Sequence, residues 1–168
     1  MEEERPKNHR DNVPGKRHRS RILALQTLYA CEMGNTLDWN TVLDTITAES
    51  SYQAIVVTYA RELLAGLYRS IGTIDELIQQ RAANWDIKRM AVIDRNILRL
   101  ATAELRCFPE VPAKVVIDEA VELAKSFGAE DSGKFVNGII DSVHKNLDAH
   151  QSASGKDGSL HGTTTCQE

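Results

Sequence analysis

This sequence predicts an all-α fold of about seven helices, packed as one bundle or as paired bundles. Three observations carry that reading. Apolar residues recur at three- and four-residue spacing through most of the chain. No alternating strand pattern of useful length interrupts them. Proline is scarce, with 4 in 168 residues, and the apolar residues lean towards Leu, Ala and Ile, which favours helix over sheet. A chain of this length buries roughly two-thirds of its unfolded surface, enough for one core without covalent or metal staples.

The first helix is expected from about Lys16 to Met33, with Ile22, Leu25, Leu28 and Tyr29 along one face and Gly34-Asn35 as its stop. The second covers about Leu37 to Glu49. Ser50-Ser51 then reads as the cap of a third helix to about Ser70, where Ile55, Tyr59, Leu63 and Leu67 recur every four residues. Gly72-Thr73 reads as punctuation before a fourth helix to about Ala83. The fifth is expected to start near Asp86 as N-cap and to carry Ile93, Ile97, Leu100, Ala101 and Leu105. Pro109 and Pro112 close it and open the sixth, with Val116, Ala120, Leu123, Ala124 and Phe127. Gly128 is placed to end the sixth in the left-handed conformation. The seventh starts at Asp131 or Ser132 and runs to about Leu147, with Val136, Ile139, Ile140, Val143 and Leu147 inward. Gly133 and Gly138 lie early in it, where an exposed glycine costs about 1 kcal/mol. Either close helix packing or close approach of a ligand would account for them.

The domain organisation is therefore a disordered arm (1–15), a helical domain (16–147) and a disordered polar tail (148–168). No stretch approaches the roughly 20 apolar residues of a membrane span, and no apolar core follows the basic N-terminus as a secretory signal requires. Cys31, Cys107 and Cys166 are odd in number, with no metal-ligand spacing. A reduced, cytoplasmic protein without cofactor or metal is the expectation.

The net charge of −4 conceals an asymmetry. Residues 5–21 hold seven basic residues and one acid, whereas residues 22–168 hold 13 basic and 20 acidic residues. A basic arm on an acidic body suits docking on a polyanion; a merely solvated tail would look the same.

Catalytic constellations are absent. Gly128-Ala-Glu-Asp-Ser-Gly133-Lys134 fits seven positions of a phosphate-binding loop. The eighth is Phe135 instead of a metal-binding hydroxyl, and a helix precedes the stretch where the mechanism needs a strand. A helix end and a helix cap explain the residues better. The five histidines fall largely in arm or tail. The stretch still has features that suit RNA. A helix N-terminus attracts phosphate, Lys134 adds charge, and Phe135 is either a core aromatic or a ring for base stacking. Lys16-Arg17-His18-Arg19-Ser20-Arg21 leads directly into the first helix, where Arg17 and Arg21, four apart, share a side. Arginine forks suit phosphates.

Three long segments carry a family resemblance: RHRSRILALQTLYACE, NWDIKRMAVIDRNILRLATAEL and VPAKVVIDEAVELAKSFGAEDSGKFVNGIIDSV. Together they resemble the NusB family from about Arg17 to Leu147. The resemblance implies two small helical bundles packed together and a non-enzymatic, RNA-binding transcription antitermination factor. It implies binding to the boxA element of nascent ribosomal RNA transcripts with the protein NusE, a small-subunit ribosomal protein. Other Nus factors and RNA polymerase would be indirect partners. By position, Arg17, Arg19 and Arg21 with Lys16 are implied at RNA phosphates, and Phe127, Asp131, Ser132, Lys134, Phe135 and Arg99 on the RNA surface. Tyr29 and Asp94 are implied to face the protein partner. The family often has an aromatic where Ala103 stands. Two alternatives stay open: an accessory domain like that of ribosomal RNA cytosine methyltransferases, for which the 21 residues after 147 offer no methyl-donor domain, and a protein-interaction bundle, such as a homodimer.

Overall fold

The computed structural model describes residues 15–154. Among them are seven α-helices and no strand: α1 (Lys16–Met33), α2 (Trp39–Ala48), α3 (Ala54–Arg69), α4 (Ile71–Arg81), α5 (Val92–Cys107), α6 (Ala113–Phe127) and α7 (Ser132–Ser154). A short 3₁₀ turn, Ile87–Arg89, leads into α5. Helices α1, α2 and α3 pack on one another, and α4 to α7 form a second group. The fifth helix belongs to both, because it also lies against α1 and α3. Its burial follows: Ile97, Leu98, Ala101 and Ala103 are all buried, together with the polar Asn96, Thr102 and Glu104. One continuous apolar cluster runs through both groups, from Leu23 and Leu63 to Ile140 and Val143. Each such Leu or Ile contributes roughly 1.5–3 kcal/mol by leaving water.

The helix ends depart from expectation in instructive ways. Helix α1 stops in a Schellman motif, with Thr36 N–H donating to Cys31 O at 3.0 Å and Asn35 N–H to Glu32 O at 3.2 Å. The left-handed residue is Asn35, φ 49°, and Gly34 is right-handed. Ser50-Ser51 does not cap α3, whose N-cap is Gln53; Ser50 instead accepts from Tyr52 N–H in a turn between helices. Gly72 lies inside the first turn of α4, since Ser70 ends α3 and opens α4 directly. Asp86 does cap, but it caps the 3₁₀ turn by accepting from Lys88 N–H, and α5 begins six residues later. Gly128 is extended, φ −91° and ψ −170°, and not left-handed. Its reason is space: a Cβ there would lie 2.5 Å from Ser132 Oγ. Helix α7 continues seven residues past Leu147 to Ser154, so the expected tail beginning at 148 is helical at its start. Residues 1–14 and 155–168, where the rest of arm and tail fall, lie outside the described residues.

The two late glycines separate. A Cβ on Gly133 would meet Lys125 Cγ at 3.1 Å, so close packing of α7 on α6 accounts for it. Gly138 has nothing within 4 Å of that position.

A charged network sits where the two helix groups meet. Glu104 on α5 is 2% exposed and accepts from Arg21 Nε at 2.9 Å and Nη2 at 2.6 Å. It also accepts from the Tyr59 hydroxyl of α3 at 2.5 Å. Arg21 Nη1 reaches Glu119 of α6 at 3.2 Å, and Glu119 also pairs with His18 Nδ1 at 2.7 Å. Four helices thus meet on one carboxylate and one guanidinium. Burial acts to lower the Arg21 pKa, but Glu104 and Glu119 outweigh it and hold the group charged. Burial first, then donation to Glu104, raises the Tyr59 hydroxyl above its ordinary value, so it remains a donor.

Removing one partner of such a pair strands the other charge in the interior. Glu104→Ala is expected to lower unfolding free energy by about 3–5 kcal/mol, measured by urea denaturation. A loss below about 1 kcal/mol would show that Arg21 regains water without the carboxylate.

Candidate nucleic-acid interface

The start of α1 presents its cations in two different states. Arg17 is exposed, and its guanidinium lies over the Tyr59 ring, 5.1 Å from the centroid. Arg19 lies over Tyr52 at 5.9 Å. Neither these two nor Lys16 has an acidic partner among the described residues. Cation–π contact restrains a guanidinium while leaving its N–H groups available to an anion. Arg21, one turn on, is 4% exposed and spends its fork on Glu104. The expectation that Arg21 holds phosphate is therefore corrected: it is a core ion-pair residue. Arg17 and Arg21 do lie on one side of α1, but Tyr59 stands between them, stacked under Arg17 and bonded to the carboxylate that holds Arg21.

A second set forms between α6 and α7. Phe127 is 43% exposed at the end of α6. The chain turns through Gly128, and the Ser132 hydroxyl accepts from Ala129 N–H at 2.9 Å. Ser132 is buried, so the structure gives it the work of closing the loop and not a surface contact. Asp131 precedes the first residue of α7 and accepts from Phe135 N–H through its carbonyl. Its side chain is exposed, as is Lys134. Phe135 is half-buried and meets Trp85 edge-on, with centroids 5.7 Å apart and planes at 81°. The two sets are linked through α6: His18 and Arg21 reach it at Glu119, and Phe127 lies eight residues further, about 12 Å along the axis.

Arg99 belongs to neither set. It grips Asp75 of α4 with Nε at 2.7 Å and Nη2 at 2.8 Å, and reaches Glu32 at 3.4 Å. Burial acts to lower its pKa, but Asp75 and Glu32 outweigh it and raise the value. Glu32 stands 15 residues after Arg17, about 22 Å along α1. Arg99 thus lines an open cleft of about 490 Å³ with Glu32, Asp75, Gln79, Lys88 and Arg95, and its fork is already occupied by Asp75 and Glu32, which does not fit the expected RNA contact.

Glu32 also marks the surroundings of the two expected partner-facing residues. Tyr29, 43% exposed, lies three residues before it on α1. Glu32 bonds Arg95 at 2.7 Å and Asn96 at 3.5 Å, the residues that follow Asp94. Asp94 lies in the first turn of α5, where the helix dipole favours a carboxylate. It is 9% exposed, and its Oδ1 is buried without a hydrogen-bond partner. A buried, unpaired carboxylate oxygen is costly in the isolated chain.

A family model described as the NusB family matches residues 18–145. The chain belongs to the NusB family. It is 43% identical over 133 residues to the transcription antitermination protein NusB of Sorangium cellulosum (strain So ce56), covering 79% of this chain and 94% of that protein. It is 42% identical over 138 residues to the transcription antitermination protein NusB of Myxococcus xanthus (strain DK1622), covering 77% and 94%. Among solved structures, T. maritima NusB matches with a TM-score of 0.73 and 38% identity, over 79% of this chain and 93% of that one. A chain in a crystal structure of antitermination factors NusB and NusE in complex with dsRNA matches with a TM-score of 0.71 and 27% identity, over 78% and 97%. The NusB match begins at His18, so Lys16 and Arg17 precede it, whereas the α6–α7 set and Asp94 lie within it. The regular secondary structure of the described residues is all helical, and no helix among them is long and apolar enough to cross a membrane.

Sequence reasoning passed over Tyr52, Tyr59 and Trp85. Tyr59 was assigned to the core by spacing, and its hydroxyl and ring face have other uses. For Asp94, the expected outcome separates folding from binding. Asp94→Ala should cost the isolated protein less than about 1 kcal/mol, because the orphaned oxygen offsets the dipole term. Urea unfolding beside Glu104→Ala checks this; equal losses would make Asp94 a structural residue.

Proposed function

We propose that this chain is a transcription antitermination factor that binds boxA RNA of nascent ribosomal RNA transcripts together with NusE. The observation that carries the reading is the run of three cations at the start of α1, Lys16, Arg17 and Arg19, which have no acidic partner among the described residues and two of which are braced on tyrosine rings. The related complex of NusB, NusE and dsRNA supports both partners. Phosphates are held at Lys16, Arg17, Arg19 and Lys134, and bases stack at Phe127 and Phe135. Ser132 supports the loop beneath them. Tyr29 and Asp94 meet NusE, with Asp94 Oδ1 accepting from a basic group on it. The folded RNA-binding unit is residues 16–154, with the basic arm before it. The protein acts in the cytoplasm as an adaptor to other Nus factors and RNA polymerase. A homodimer that covered these surfaces would withhold them.

Fluorescence anisotropy with labelled boxA-like RNA and a scrambled control, at several salt concentrations with and without NusE, tests this directly. Preference for boxA, tightened by NusE and weakened by salt, is expected. Equal or absent binding to both RNAs throughout would leave a protein-interaction bundle. Arg17→Ala with Arg19→Ala should reduce the slope of log K against log salt by about 1.4, at about 0.7 per single-strand phosphate contact, without loss of fold.

Asp131 is an acid in the proposed site whose side chain is exposed beside the phosphates. Asp131→Asn leaves the Asp131 carbonyl contact to Phe135 N–H in place and removes repulsion worth up to about 1 kcal/mol at 4 Å in water. Affinity for boxA should rise about two- to fivefold, the equivalent of about 0.5–1 kcal/mol. Unchanged or weaker binding would move the phosphates away from the start of α7.

A further inference from the structure

Trp85 is the large aromatic that the site as described leaves unused. It lies between α4 and α5 and is 59% exposed, although an indole gains more from burial than most side chains. Its backbone is held on both sides. Trp85 N–H donates to Ala82 O at 2.8 Å, and Trp85 O accepts from Gln79 Nε2 at 2.8 Å. The Gln79 Oε1 atom then accepts from Ile87 N–H at 2.9 Å, and Asp86 caps the following 3₁₀ turn. The ring is thus presented from a clamped loop. Its contact is the edge-on one with Phe135, which leaves indole surface open.

The charge around Trp85 decides what that surface suits. Arg81, Lys88 and Arg89 lie within four residues of it in sequence, and Lys134 adjoins Phe135. All four are exposed, and none has an acidic partner among the described residues. A dry apolar partner would leave these cations to be desolvated at its rim. A single-stranded polyanion with aromatic bases satisfies both chemistries at once.

We propose that Trp85 extends the RNA site as a stacking platform for one further base, with Lys134 and the Lys88-Arg89 pair at the adjoining phosphates. This rests on the RNA-binding reading above. Stacking on an aromatic tolerates any base, so Trp85 adds affinity and little sequence preference.

The chain holds two tryptophans, and the other, Trp39, stacks on Tyr68 at 5.8 Å. Full-length protein carrying Trp39→Phe therefore reports on Trp85 alone. Titration with boxA-like RNA should quench its emission in step with the anisotropy of labelled RNA. Trp85→Leu should weaken RNA binding roughly 5- to 150-fold with little change in melting temperature, and Trp85→Phe should restore most of it. Wild-type affinity in Trp85→Leu with unchanged Trp85 emission would overturn the platform while leaving the RNA reading intact. Loss of NusE binding in Trp85→Leu with RNA affinity unchanged would also overturn it and assign the ring to protein. Absence of RNA binding by the unsubstituted protein would remove both readings.

Discussion

The buried pair of Arg21 and Glu104 constrains everything around it. Two full charges removed from water are tolerated only when each hydrogen-bonding position is filled. Here two guanidinium nitrogens, a tyrosine hydroxyl and a second carboxylate fill them from α1, α3, α5 and α6. An apolar contact tolerates a slide of an ångström; a forked hydrogen bond at 2.6 and 2.9 Å does not. The pair therefore sets the register of α1 and α3 against α5 and α6, which apolar packing alone leaves freer. The exposed site inherits that register. Tyr59 is held by Glu104 from below, and Arg17 rests on Tyr59 from above, so a surface cation is positioned by a core carboxylate.

Positive charge in a sequence is not the same as positive charge available to a ligand. The run from Lys16 to Arg21 looks uniform, yet Arg21 faces inward and Arg17 outward. Arg99 is fully charged and fully occupied by Asp75 and Glu32. What remains for a polyanion is the set whose partners are aromatic rings or water. This sorting lets a protein of net charge −4 present a local cationic surface, because screening confines each charge to a range of about 8–10 Å.

Periodicity made the helices legible, and it did so because each buries a stripe of Leu, Ile, Val and Ala. It failed where stripes are silent. The segment from Asp148 to Ser154 has no apolar stripe, yet it continues α7 because adding one residue to an existing helix fixes little new backbone. Gly72 and Ser50-Ser51 are turn-formers by composition, but Gly72 is accommodated in the first turn of α4, and Ser50 serves the turn before α3. Family resemblance pointed to the α6–α7 set and Asp94, but it carried nothing of the packing around Arg21, Ser132 and Arg99. Those depend on Glu104, Gly128 and Asp75, and the Arg21–Glu104 contact spans 83 residues. No local pattern contains that information.

The arrangement also bears on how two ligands could share so small a body. Helix α1 carries the braced arginines at its start and Tyr29 near its end, about 18 Å apart along one axis. Helix α5 carries Asp94 at its start and Glu104 near its end, and it packs against α1. The route between the two faces is thus a pair of helices locked by a buried ion pair. A slide of one helix along the other breaks the forked bonds of Arg21 to Glu104, and transmitted movement needs a second packing of similar energy. Cooperation between RNA and a protein partner is then better supplied by contacts between the two ligands, or by one ligand ordering the other, than by a change of shape here. In that sense the stability of the Arg21–Glu104 junction suits the proposed adaptor role: a surface that is to hold two partners at a constant separation must not deform when the first arrives.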